Sequence, residues 1–359
     1  MKQRIIYTFL GILSLTVLAA IIGVIYEMSA KSQAARDFPP PGKLVDIGGR
    51  KIQLDCRGTG SPTVVFESGL DMSGSLSWSL VHDEVAKSTR ACAYSRAGIM
   101  WSDPRDSHQN GKTVAEDLHH TLSIAGEHAP FVLVGHSLGG PYIMTYTKYF
   151  RQEVAGLVFV DAAHPEQVQR SNAVINTSGS KLIELRDRVG AALNWTGVVR
   201  VVANTYEKMP NLPDSVDLAV KAYTAKSLGS MLNEMDAEAE TLAEAGTFRQ
   251  LGDCPLFVLT AMAPWPEQSL AYWQITASQA KQYQDIKKQM SDEQATWSSH
   301  SQHQLVPDAD HYIQFDRPDI VIAAVRSVVE IVQAKRDGTF TSLTRRSRGT
   351  AEKRGSPST

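Results

Sequence analysis

The residues with the clearest chemical potential in this chain lie in Gly135-His136-Ser137-Leu138-Gly139, followed by Gly140. A Gly-x-Ser-x-Gly pattern between an apolar, β-branched run (residues 131–134) and an amphipathic run predicts a sharp strand-to-helix turn. The serine of such a turn is held in a strained backbone conformation with its hydroxyl thrust out of the sheet, and the glycines leave room for the adjoining strand and helix. The free N–H groups and positive dipole end of the helix then face a developing oxyanion. The pattern can arise by chance in a chain with 25 glycines. The strand before it, the helix after it and Gly140 single this occurrence out, and Ser137 is the expected nucleophile. A serine hydroxyl attacks only when a base removes its proton, and imidazole titrates close to neutral pH. Of the ten histidines, His311 follows a short strand near the end of the folded region, just before a closing helix, and is the expected base. His136 is held beside the nucleophile and points elsewhere, so it is read as a packing or supporting residue.

The elements that must position these groups follow from periodicity. Residues 44–47 and 51–56 flank Gly48-Gly49 and predict a hairpin. Further strands are expected at 63–67, 90–94, 131–134, 154–160, 255–261 and 302–306. Helices are expected at 78–88, 113–128, after Ser137 to about 149, 269–289 and 319–333. Strands alternating with helices imply an α/β protein, a mostly parallel sheet covered on both faces, with the hairpin as an antiparallel edge. Between residues 166 and 251 strand-like runs give way to helical stretches at 181–193, 215–228 and 236–248, an insertion too long to be an unstructured loop.

Residues 1–31 stand apart from the fold. Lys2 and Arg4 precede residues 5–26, which carry no charge. As a helix that run would measure roughly 33 Å, enough to cross a bilayer core. It is longer than the apolar region of a cleavable signal, about 7–15 residues, and Met28-Ser29-Ala30 is a poor cleavage site. An uncleaved signal anchor is expected, with its amino terminus cytoplasmic and the rest periplasmic or extracellular, and a cleaved signal is the alternative. Residues 32–42, with Pro39-Pro40-Pro41, read as a stiff extended linker. Residues 335–359, rich in Ser, Thr, Gly and Arg, read as a disordered basic tail.

From about residue 44 to 332 the pattern resembles the α/β-hydrolase superfamily. Five stretches carry the resemblance: Phe66-Glu67-Ser68-Gly69-Leu70, Ala93-Tyr94-Ser95-Arg96-Ala97-Gly98, the Ser137 turn, Val160-Asp161-Ala162-Ala163-His164-Pro165, and Asp310-His311-Tyr312-Ile313-Gln314. The resemblance implies an eight-stranded sheet over residues 43–334, with a helical cap at 166–251 inserted after the sixth strand. It also implies a Ser-acid-His chain order. The acid must hold the imidazole in the right tautomer. The stretch after the strand where most members carry it has no acid before Glu267, so Asp161, at the preceding strand end, is the expected acid and Glu267 the alternative. The backbone N–H groups of Leu70 and Leu138 would form the oxyanion hole. Ser95 stands where the family loop usually has Asp, which puts the hydrogen bonding of that loop in question. Cys56 and Cys92 would lie on adjacent strands, either as a disulfide or as two buried thiols. The implied activity is a serine hydrolase, foremost a carboxylic-ester hydrolase working through an acyl-enzyme. Thioesterase, lipase, amidase, acyltransferase and ligand-binding roles remain alternatives on the same residues.

The totals bound the rest. Among 359 residues the formal net charge is −2 and hydrophobic residues make up 43%, which suits a globular core and argues against a general nucleic-acid binder. Three cysteines without a C-x-x-C pair argue against a structural zinc site, and no cofactor or metal is expected. The expected partners are a small-molecule ester or acyl substrate and the membrane around the N-terminal helix. Asn176 and Asn194 fit the glycosylation pattern. Trp195, Tyr206, Met231, Met235, Trp265 and Trp273 could line an apolar pocket or form the core of the inserted helices.

Overall fold

The computed structural model describes residues 2–172, 174 and 178–339. A long helix, α1 (Lys2–Asp37), leads into the hairpin β1 (Lys43–Asp46) and β2 (Lys51–Arg57). Then come β3 (Thr63–Glu67), α2 (His82–Ala86), β4 (Ala91–Ser95), α3 (Gly111–Ala125), β5 (Phe131–His136), α4 (Gly139–Tyr149) and β6 (Val154–Val160). Five helices are inserted next: α5 (Gln167–Ser171), α6 (Ser178–Ala192), α7 (Val198–Ala203), α8 (Asp214–Asp236) and α9 (Glu238–Gly246). The chain returns through β7 (Leu256–Ala261), α10 (Glu267–Trp273), α11 (Ala277–Ala295), β8 (Ser301–Val306), α12 (Ile313–Asp316) and α13 (Pro318–Arg336).

The eight strands form one sheet in the order β1-β2-β4-β3-β5-β6-β7-β8. β2 runs antiparallel to both β1 and β4, and every pairing from β4 to β8 is parallel. The central strands β3 and β5 are buried along their whole length, as a sheet covered on both faces requires. One apolar layer joins Ile52, Leu133, Leu157 and Ile143. The other packs Val64, Phe66, Val132 and Val158 against Val321, Val325 and Val328 of α13. The carboxyl ends of the parallel strands share one edge, where ligands of open α/β sheets bind.

Three local expectations change. The run expected as one helix over 269–289 is broken at Gln274, which sits in the left-handed region at φ 53°. α11 restarts there because Thr276 and Gln279 close a reciprocal capping box. The helix expected at 78–88 is a short 3-10 turn, Gly74–Trp78, followed by α2. The extended linker of 32–42 shrinks to residues 38–42, because Ser32, Gln33, Ala34, Ala35, Arg36 and Asp37 continue α1. Those residue types are tolerated in a helix, whereas Pro39 ends it. Asn176 and residues 340–359, most of the expected tail, lie outside the described residues.

Candidate active site

Ser137 follows β5 with φ 53°, a conformation few side chains adopt. The surrounding glycines are sterically required. A Cβ on Gly135 would stand 2.5 Å from the Gly139 carbonyl, and one on Gly139 would stand 2.5 Å from that of Glu67. A Cβ on Gly140 would be equally close to Ala162, and one on Gly69 would stand 2.8 Å from the Ser137 Cβ. The loop after β3 therefore lies directly on the serine turn.

Asp161 ends β6 and also holds a positive φ, 45°. Its Oδ1 accepts the Ala261 N–H at 2.8 Å. Its Oδ2 accepts both His311 Nδ1 at 2.7 Å and Lys287 Nζ at 3.0 Å. Burial alone would raise this carboxyl, but Lys287, His311 and the Ala261 N–H together hold it well below the usual carboxylate range. The ring nitrogen left free on His311 is Nε2, the one that faces a nucleophile in a Ser-His-Asp arrangement. Ser137, Asp161 and His311 line one cavity of about 390 Å³. Glu267, the alternative acid, is exposed at the start of α10, and the carboxylate that meets the His311 ring is that of Asp161.

His136 donates through Nε2 to the His311 carbonyl at 2.9 Å, and its ring packs against those of His311 and Tyr312. Burial, reinforced by His311, pushes its titration down to about 3, so it stays neutral. It supports the backbone of the candidate base.

The loop after β3 is fixed by Arg96. Its guanidinium donates to Glu67 at 2.6 Å, to the carbonyls of Ser68 and Gly69 at 2.8 and 2.6 Å, and in bidentate fashion to Glu234 of α8 at 2.9 and 2.7 Å. All three charged groups are buried. With the Gly69 carbonyl turned to Arg96, the N–H of Leu70 in the same trans peptide points the opposite way. Neither Leu70 N–H nor Leu138 N–H donates to a protein acceptor among the described residues. Ser95, where the family loop has Asp, keeps its hydroxyl bonded, to Gln53 at 2.7 Å.

Lys287 and Glu234 were not singled out by sequence. Lys287 belongs to a run of polar residues on α11 that reads as a solvated helix face, and no spacing marks it. The aromatic and Met residues divide between the two readings. Trp265 and Trp273 line the cavity, Met231 and Met235 pack into the inserted helices, and Trp195 and Tyr206 are exposed. Cys56 and Cys92 form a disulfide between β2 and β4. They are two of the three members of the one cluster of potential metal-binding side chains among the described residues, completed by Glu127. The disulfide leaves a single carboxylate there, too little to hold an ion.

Comparison with known proteins agrees with this architecture. Among curated relatives, the Uncharacterized protein YbdG of Bacillus subtilis (strain 168) is 24% identical over 160 residues, 44% of this chain and 49% of that protein. The chain spans half or less of the curated relatives it matches. A thermophilic esterase from Thermogutta terrifontis superposes with a TM-score of 0.53 at 19% identity, covering 81% of this chain and 98% of that one. A bromoperoxidase from Bacillus anthracis does so with a TM-score of 0.58 at 15% identity, covering 80% and 99%. At such identities these structures share the fold. The sequence model described as "Alpha/beta hydrolase family" matches residues 56–324, the span that carries the sheet from β3 to β8, the serine turn and His311, and the chain therefore belongs to the alpha/beta hydrolase family.

Proposed function

We propose that this chain is a membrane-anchored serine hydrolase that cleaves a carboxylic ester through an acyl-enzyme. The observation that carries the reading is the His311 Nδ1 to Asp161 Oδ2 contact of 2.7 Å in a cavity shared with Ser137. In the proposed cycle His311 Nε2 takes the proton of Ser137 as its Oγ bonds to the substrate carbonyl carbon. The oxygen gains negative charge against the N–H groups of Leu70 and Leu138. Collapse breaks the bond to the alcohol, which leaves with the proton from His311. Water then repeats the steps on the acyl-serine and releases the acid. A serine at this turn, in place of an aspartate, favours acyl transfer over the alkyl-enzyme chemistry that the fold also hosts.

The cavity is near the small end for ligand sites, about 300–1,000 Å³, and Trp265, Trp273, Tyr283 and Met290 give it apolar walls. Esters of short to medium acyl chains suit it best. The uncharged run of α1 supports the anchor, and the Cys56–Cys92 disulfide supports an oxidising compartment, periplasmic or extracellular. The test is hydrolysis of p-nitrophenyl esters from acetate to palmitate by the full chain in detergent. Turnover should be highest for the shorter esters and fall roughly 10⁴-fold or more in Ser137→Ala. Unchanged turnover in that variant would refute the reading.

A further inference from the structure

The inserted helices meet α1 at a level that carries a consequence for both. The uncharged run of α1 ends at Tyr26, and the next residue, Glu27, is buried in a bidentate pair with Arg200 of α7 at 3.0 and 2.9 Å. One turn earlier, Gly23 lies against the 3-10 turn Asn194–Thr196, where a Cβ would stand 2.4 Å from the Thr196 carbonyl. Gly197, at φ 75°, faces the ring of Tyr26, and a Cβ there would stand 2.6 Å from it. Three residues of helix rise about 4.5 Å, so the inserted helices reach inside the end of the apolar run by roughly that distance.

At this level the surface is apolar in the wrong sense for water. Leu193, Trp195, Val198, Val201, Val202 and Tyr206 are all exposed, Trp195 by 48% and Val201 by 53%. On α7 the inward face holds Arg200 and Val199, while three valines face out. A surface helix in water carries the reverse pattern. An amphipathic segment with Trp and aliphatic residues outward is the type that lies in a membrane interface, and a contiguous apolar patch of this kind marks an interaction surface.

We propose that the face formed by residues 193–206 lies in the bilayer interface beside α1, so that helix and cap are seated in the membrane as one body. The occupant is lipid because the face is continuous with α1: whatever surrounds the last apolar turn at Gly23 also surrounds Trp195 and Val201. Lys31, one turn beyond Glu27 and exposed, stands on the headgroup side. Met209, three residues after Tyr206, already lines the catalytic cavity, so the seated face adjoins the site.

This inference rests on α1 being a membrane anchor, and the experiment separates the two. Full chain is reconstituted into phosphatidylcholine vesicles containing brominated acyl chains. Flotation reports the anchor, and tryptophan quenching is compared between wild type and Trp195→Phe. The expected result is co-flotation of both proteins, with most of the quenching lost in Trp195→Phe. In Val201→Asp, which keeps all six tryptophans, quenching should also fall. Co-flotation with equal quenching in wild type and both variants would overturn the seated face while leaving the anchor standing. Cross-linking of position 195 to a second copy, in place of quenching, would assign the face to self-association and overturn it too. Failure to float would remove the anchor and this inference with it.

Discussion

Oδ2 of Asp161 serves two donors, the imidazole of His311 at 2.7 Å and the ammonium of Lys287 at 3.0 Å. Lys287 is the stronger of the two cations that hold the buried Asp161 carboxyl well below the usual carboxylate range. A carboxyl lowered on folding contributes stability above its unfolded value and loses it as pH falls through the folded one. Replacing Lys287 with Met should therefore lower the melting temperature near neutral pH, and the gap to wild type should narrow as pH falls below about 4. A gap that does not change with pH would show that Lys287 only fills space. None of this was legible in the sequence. Ser137 and His311 could be singled out as candidates from turn geometry and strand order. Asp161 could be preferred to Glu267 only through the family resemblance, since the stretch after the usual strand holds no acid before Glu267. Lys287 reaches the site from a helix whose neighbours Lys281 and Lys288 pair with Asp285 and Asp292 at its surface. One-dimensional spacing does not distinguish the three.

At the scale of elements, the sheet follows directly from alternating apolar runs, whereas the join between cap and sheet does not. Arg96 links the loop after β3 to α8 through Glu67 and Glu234, groups 29 and 138 residues from it in sequence. Two carboxylates compete for one buried cation, and Tyr94 donates to Glu67 as well. Burial pushes Glu67 from 4.5 up to about 7, with Arg96 and Tyr94 pulling the other way. A carboxyl raised on folding stabilises most below its unfolded value and loses that contribution as pH rises through the folded one. The melting temperature of the wild type, relative to Glu67→Gln, should therefore decline from about pH 5 to about pH 8. Parallel melting curves across that range would contradict it. Periodicity also predicted the inserted helices but not their partners, because a buried glutamate such as Glu234 looks like any other acidic residue on a helix.

Across the whole molecule, two long-range ties hold parts that sequence alone leaves separate. The first is the packing of α1 onto the inserted helices through Gly23 and Glu27, continued just after α1 by the carbonyl of Phe38, which accepts from Trp101 of the loop after β4 and from Tyr223 of α8. Apolarity marks residues 5–26 as a span but says nothing of where its end docks. The second is the Cys56–Cys92 disulfide, which closes a separation of 36 residues at the antiparallel side of the sheet. Cross-linking of this kind stabilises by about 2–4 kcal/mol. Urea should therefore unfold the chain at a lower concentration once the disulfide is reduced. Superposable urea curves with and without reductant would contradict that contribution.

The most direct measurement of the central claim is acid quenching of the full chain during turnover of p-nitrophenyl acetate, followed by peptide mass mapping. One acetyl group is expected on the peptide that contains Ser137, and none in Ser137→Ala. Steady turnover with no acylated serine, or with the acyl group on another residue, would contradict it.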